Sequence, residues 1–198
     1  MKRTMKQAVA ILLSVMCLSL TGCGGAKTPE ACKDWDEGVM SINGGIVVIG
    51  KTNIDDFMAA TGFDEVVELS EYSDTSYYYL SDGYSEIQVA ADENGTVYNF
   101  FASDYYMDED NLDLEHTTIV GPGGITVGSS TVEDVAAYDA NIKDRYSGSI
   151  DDDEDYGICS YIAGKKKGDF DLVDGFLYSV IGDYETRIVY EMSLTIEN

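Results

Sequence analysis

Ile49-Gly50-Lys51-Thr52-Asn53-Ile54-Asp55-Asp56-Phe57-Met58-Ala59 returns 78 residues later as Val127-Gly128-Ser129-Ser130-Thr131-Val132-Glu133-Asp134-Val135-Ala136-Ala137. Gly50/Gly128, Asp56/Asp134 and Ala59/Ala137 are identical, and Thr52/Ser130, Ile54/Val132 and Asp55/Glu133 keep their chemistry. Upstream, Gly45 falls on Gly123. Each copy reads as a short apolar strand (46–49, 125–127), a glycine turn, and a hydroxyl with an acid three residues on, Thr52…Asp55 and Ser130…Glu133. That spacing is a capping box, which opens a helix by satisfying its first free amides. Ile54, Phe57 and Met58 fall on one helical face, as do Val132, Val135 and Ala136, so each helix needs a sheet to cover it.

The sheets are expected downstream. Segments 77–80, 84–91 and 96–103 are separated by Ser81-Asp82-Gly83 and Asp92-Glu93-Asn94-Gly95, which are hairpin signals. In the second copy the candidates are 158–163, 176–181 and 186–196. In the last, Ile188, Tyr190, Met192, Leu194 and Ile196 alternate with Arg187, Glu191, Ser193 and Thr195, giving one apolar and one polar face. Gly121-Pro122-Gly123-Gly124 marks the seam. The expected fold class is α+β: two tandem repeats, 41–115 and 116–198, each a short strand and helix packed on a small antiparallel sheet. The turn-helix stretches around Gly50 and Gly128 resemble the modules of the BamE family of outer-membrane assembly lipoproteins, which open with a Gly-x-[Ser/Thr] turn into a helix. The pairing of copies also resembles the β-lactamase inhibitory protein. The resemblance implies architecture alone. The acidity and tyrosine content depart from it, and no binding residue is carried over.

The amino terminus sets the address. Residues 1–22 hold three bases, Lys2, Arg3 and Lys6, no acid, and an apolar run from Ala8 to Leu20. Such a run is too short for a stable membrane span and is the length of an export-signal core. It closes on Leu20-Thr21-Gly22-Cys23, which resembles a bacterial lipobox. That resemblance implies a diacylglyceryl thioether on Cys23 and cleavage after Gly22. Two acyl chains, at about 0.8 kcal/mol per buried methylene, hold a domain on a membrane without a spanning helix. Residues 23–40 then read as a lipidated flexible tether, and the expected location is the extracytoplasmic face of the cell membrane.

Charge and cysteines narrow the partners. Twelve Lys+Arg stand against 37 Asp+Glu for a net charge of −25, and losing the three signal bases leaves −28. Nucleic-acid phosphates need a basic surface that this chain lacks. With 44% apolar and 11% aromatic residues a packed core forms despite the charge. Cys17 leaves with the signal and Cys23 takes the lipid, so Cys32 and Cys159 remain, either paired as a disulfide or as free thiols. No CxxC or Cys/His cluster offers a zinc site.

Three motifs invite chemistry and each has a blander reading. Gly45-Ile-Val-Val-Ile-Gly50-Lys51-Thr52 matches the phosphate-loop pattern. Its four intervening residues are strand formers, and the second copy has Ser129 in place of Lys51, so no nucleotide is expected. The acids Asp151, Asp153 and Asp155 are weak calcium candidates in a run that lacks the bidentate acid of a calcium loop and reads as a self-repelling loop. His116, the single histidine, has no marked nucleophile to serve. A hydrolase using paired carboxylates is the alternative, although 37 acids make some suitable pair inevitable.

Fifteen tyrosines remain. On a strand Tyr77 and Tyr79 share a face and Tyr78 takes the other. Tyr77, Tyr79, Tyr84 and Tyr98 are therefore the candidate binding surface, against the reading that they pack locally. The expectation is a non-catalytic accessory lipoprotein without a cofactor, binding a basic protein or cell-envelope component that its negative charge attracts.

Overall fold

The computed structural model describes residues 28–33, 38–104, 112–139, 145–147, 150–165 and 177–196. Residues 1–22, read above as an export signal, and Cys23, read as its lipid site, lie outside the described residues.

The strands are β1 (Val39–Ile42), β2 (Gly45–Val48), β3 (Glu65–Tyr72), β4 (Thr75–Ser81), β5 (Glu86–Ala91), β6 (Val97–Ser103), β7 (Ile119–Val120), β8 (Arg145–Ser147), β9 (Asp151–Asp153), β10 (Ile158–Lys165), β11 (Leu177–Asp183) and β12 (Val189–Thr195). The helices are α1 (Ile54–Thr61) and α2 (Val132–Asp139). Strands β2-β1-β7 form one small sheet. The large sheet runs β3-β4-β5-β6-β12-β11-β10-β8, with β9 also paired to β10, and its pairs are antiparallel.

This corrects the α+β expectation. The structure is mostly β, 49% strand, with two helices of eight residues each among the described residues. Nor does each half keep a small sheet of its own, because β6 pairs with β12 and β1 with β7 across the halves. The reason is area. A two-turn helix covers too little of a four-stranded sheet, so the strands of both halves share one core. The β6–β12 ladder is symmetric about the Phe101–Ser193 pair, which is flanked by Asn99–Thr195 and Ser103–Glu191.

The 78-residue similarity is instead the hydrogen bonding of two turns. Gly50 N–H donates to Val97 O and Gly128 N–H to Val189 O, both at 2.7 Å. Val97 N–H returns to Thr52 O and Val189 N–H to Ser130 O, both at 2.9 Å. The hydroxyls of Thr52 and Ser130 accept from Val48 N–H (2.8 Å) and Thr126 N–H (2.9 Å), so they clamp the turn rather than cap the helix. Capping falls one residue later. Asn53 Oδ1 accepts from Asp55 N–H at 3.1 Å, and Thr131 and Asp134 bond each other's backbone N–H reciprocally.

One core runs through all layers. It joins Met40, Ile42 and Val47 of the small sheet, Phe57 of α1 and Val135 of α2 to Val89, Phe100, Tyr178, Met192 and Leu194 of the large sheet. On β12 a bulge displaces the expected alternation: Val189 is buried and Ile188 is 37% exposed. The stretch 28–33, expected within the tether, packs on the fold. Glu30–Cys32 forms a 3-10 turn against β1, and Cys32 is fully buried.

Candidate binding face

Side chains alternate across each strand, so the register assigns every residue of the large sheet to one of two faces. Tyr78, Val89, Phe100, Leu194, Tyr178 and Ala163 lie in one row across β4, β5, β6, β12, β11 and β10. Of these Tyr78 is half-buried and the other five are fully buried, under the helices and the small sheet. The neighbouring row, Tyr79, Gln88, Phe101, Ser193, Ser179 and Ile162, points the other way. Every member of it is at least partly exposed, Ile162 to 43%. Six strands at about 4.8 Å span roughly 24 Å, and seven residues at about 3.3 Å run roughly 23 Å along a strand.

A shallow groove of about 140 Å³ opens on this face between Tyr79, Glu86, Gln88, Phe101 and Ser103, with Ile87 and Ala102 at its floor. Tyr77 follows Tyr79 on the same side of β4 and pairs with Ala90. Tyr98 sits in the β6 bulge, where its hydroxyl bonds Thr75 Oγ1 at 3.1 Å. Tyr77, Tyr79 and Tyr98 are therefore brought to the β4–β6 region together. Tyr84 is not: it lies in the β4–β5 turn rather than on the strand expected from 84, and its ring stacks on His116 with centroids 4.1 Å apart and planes 5° apart. Phe101 and Gln88 complete the groove. The adjacent Phe100-Phe101 pair signals one of them, since two neighbours on a strand cannot both face the core. Gln88 carries no such signal.

The His116 surroundings are built for structure. His116 Nδ1 meets Asp113 Oδ2 at 2.7 Å, and this bond, the largest influence on Asp113, holds its carboxyl below the usual range. Asp113 N–H donates to Ser85 Oγ (2.7 Å), which also bonds Thr117 Oγ1 (2.6 Å). Ser85 is 1% exposed, so the nearby hydroxyl is committed and sealed rather than presented as a nucleophile. Burial acts to raise the pKa of Asp82. Its bonds from Ser85 N–H, Tyr84 N–H, Asn43 and Thr117 outweigh this and leave the carboxyl lowered. Asp104 at the end of β6 is raised by burial and by the charge of Asp113. It does not line the groove.

The other motifs resolve similarly. Residues 45–48 are strand β2, with no curl to cradle a phosphate. Gly45 is a glycine because a Cβ there would lie 1.9 Å from Ala60 O, and Gly50 because its φ is +86°. The acid run is not the expected loop: Asp151–Asp153 forms β9, since Asp152 pairs with Arg187, which also reaches Glu133 at 2.8 Å. Asp153 instead accepts from Tyr156 N–H in the following turn. Among the described residues no three His, Cys, Asp or Glu side chains, Asp151, Asp153 and Asp155 included, converge as cation ligands. Cys32 and Cys159 are both free and buried, so the disulfide is not made. They serve different elements, Cys32 the turn against β1 and Cys159 strand β10, where its Sγ–H donates to Asp183 O at 3.5 Å.

No protein-family model, curated protein or solved structure matches this chain.

Proposed function

We propose that this chain is a non-catalytic binding module, lipid-anchored through Cys23 on the outer side of the cytoplasmic membrane, that takes a basic protein or cell-envelope partner on the open face of its large sheet. One observation carries the reading: among the described residues the helices and the small sheet cover one side of the large sheet, and its other side holds half-buried Tyr77, Tyr79 and Phe101, the last two lining a groove. Flat rigid aromatics give contact area at little entropic cost. Glu68, exposed on the same face opposite Tyr79, favours a cationic partner. The anchor keeps the module close to its membrane, since Cys23 and Thr28 are five residues apart and at most about 17 Å at full extension.

The test is capture of partners from envelope extract by the full chain, followed by Tyr77→Ala and Tyr79→Ala. Loss of at least tenfold in affinity for the captured partner is expected of the double variant; unchanged capture would remove this face. Mass spectrometry of the mature amino terminus checks the anchor separately, with a diacylglyceryl Cys23 as the expected first residue.

A further inference from the structure

Strand β3, Glu65-Val66-Val67-Glu68-Leu69-Ser70-Glu71-Tyr72, is the end of the large sheet, and β4 is its one paired neighbour among the described residues. All eight residues are exposed, including Val67 at 51%, Leu69 at 49% and Tyr72 at 79%. Among the described residues nothing pairs with its outer edge, and side chains on both of its faces are exposed. Edges of this kind are normally blunted by brevity, by charged side chains, lysine above all, by proline or by a bulge. Strand β3 is eight residues long, has no lysine or proline, and keeps a single irregularity between Val66 and Glu68. What it carries instead is acid: Glu65, Glu68 and Glu71, with Asp64 before and Asp74 after.

That choice discriminates among occupants. A second copy paired on this edge would bring glutamates against glutamates on bodies of net charge −25, and like charges across a ladder repel. A basic strand meets the opposite situation. The register also divides the edge. Glu65 and Glu68 lie opposite Ser81 and Tyr79, on the open face, whereas Val66 and Leu69 lie opposite Leu80 and Tyr78, on the covered side.

We infer that the β3 edge is a strand-addition site for an extended segment of a partner protein in which Lys or Arg alternates with apolar residues. The added backbone completes the ladder, its cations lie beside Glu65 and Glu68, and its apolar side chains cover Val66 and Leu69. This site shares Glu68 with the open face but uses the β3 backbone edge and none of the tyrosines, so Tyr77→Ala and Tyr79→Ala distinguish its failure from failure of the open face.

The probe is a synthetic octapeptide of alternating Lys and Val, titrated into the full chain. Two controls accompany it: the same peptide N-methylated at every amide, and a block peptide of four Lys followed by four Val. The alternating peptide should bind at least tenfold more tightly than either control. Amides of 65–72 should exchange with solvent at least tenfold more slowly in its presence. Glu65→Lys with Glu68→Lys should abolish binding, whereas Tyr77→Ala and Tyr79→Ala in the otherwise unchanged chain should leave it unaltered. Equal binding of the N-methylated peptide would reduce the attraction to charge alone and overturn the proposal. So would unaltered exchange across 65–72 at saturation, or dimerisation of the free chain through this strand.

Discussion

Replacing Gly45 by alanine tests the steric reading of the first glycine in Gly45-Ile-Val-Val-Ile-Gly50-Lys51-Thr52. An added Cβ would lie 1.9 Å from Ala60 O and 2.5 Å from Ala60 C. Both are backbone atoms at the end of α1, so no side chain can swing aside. Ordinary contact needs about 3.4 Å, and relief of the overlap must separate the β1–β2 hairpin from α1 by more than 1 Å. Overpacking of a well-filled interior costs about 1–3 kcal/mol, and more where backbone must move. About 3 kcal/mol is therefore expected for Gly45→Ala. Gly44→Ala is the internal control: its Cβ meets nothing within 4 Å, yet its φ of +84° makes it cost about 1 kcal/mol. Urea unfolding of the full chain in mild detergent, followed by far-ultraviolet dichroism, reads both. With a slope near 2 kcal/mol per molar, the midpoints should fall by roughly 1.5 M and 0.5 M. A Gly45→Ala midpoint within 0.3 M of the parent would refute the steric account of that glycine.

Asp82 has a carboxyl held below its unfolded value, so its contribution to stability is full above the unfolded pKa of about 3.9 and is lost as pH falls through the lower folded value. Asp82→Asn should therefore flatten the acid limb of a stability–pH curve below about pH 4; an unaltered limb would show that the knot around Asn43, Ser85 and Thr117 does not depend on that charge. Burial raises the thiols of Cys32 and Cys159, which disfavours the reactive thiolate. Alkylation by iodoacetamide at pH 8 should label neither within the time that urea-unfolded chain is labelled at both, and rapid native labelling at either would contradict its burial.

Local chemistry was legible where a turn acts alone. Asp92 accepts from Asn94 N–H and Thr96 N–H in the β5–β6 turn, and Asp183 accepts from Glu185 N–H and Thr186 N–H between β11 and β12. These short-range bonds need no knowledge of the fold, and β4, β5, β6, β10, β11 and β12 fall close to the segments the turns delimit. Strand β3 escaped because both its faces are wet and it has no alternation to read. Strand β9 escaped because Asp151-Asp152-Asp153 looks self-repelling until Arg187 is brought to Asp152 from 35 residues away. The cap was displaced by one residue since Thr52 and Asn53, or Ser130 and Thr131, are equally able acceptors, and the turn decides which is used. Fold class failed on partnership. Nothing local to 97–103 or 189–195 says that β6 and β12 join, and that joint merges two expected sheets into one. At the candidate face, Tyr77 and Tyr79 followed from period two. Tyr84 was misplaced by an early strand start, and the β6 bulge that holds Tyr98 leaves no mark in composition.

The same joint has a consequence for biogenesis. Of the twelve described strands β12 is the latest in sequence, yet it occupies the middle of the large sheet between β6 and β11. Until it arrives, Phe100 and Ala102 lack the neighbour that closes over them, and β6 offers an unsatisfied edge to any passing chain. Completion is thus a late, long-range event of the kind that folds slowly, and a nascent chain lacking β12 stays open at its centre. Loss of β12 would therefore open the sheet at its centre rather than trim an edge.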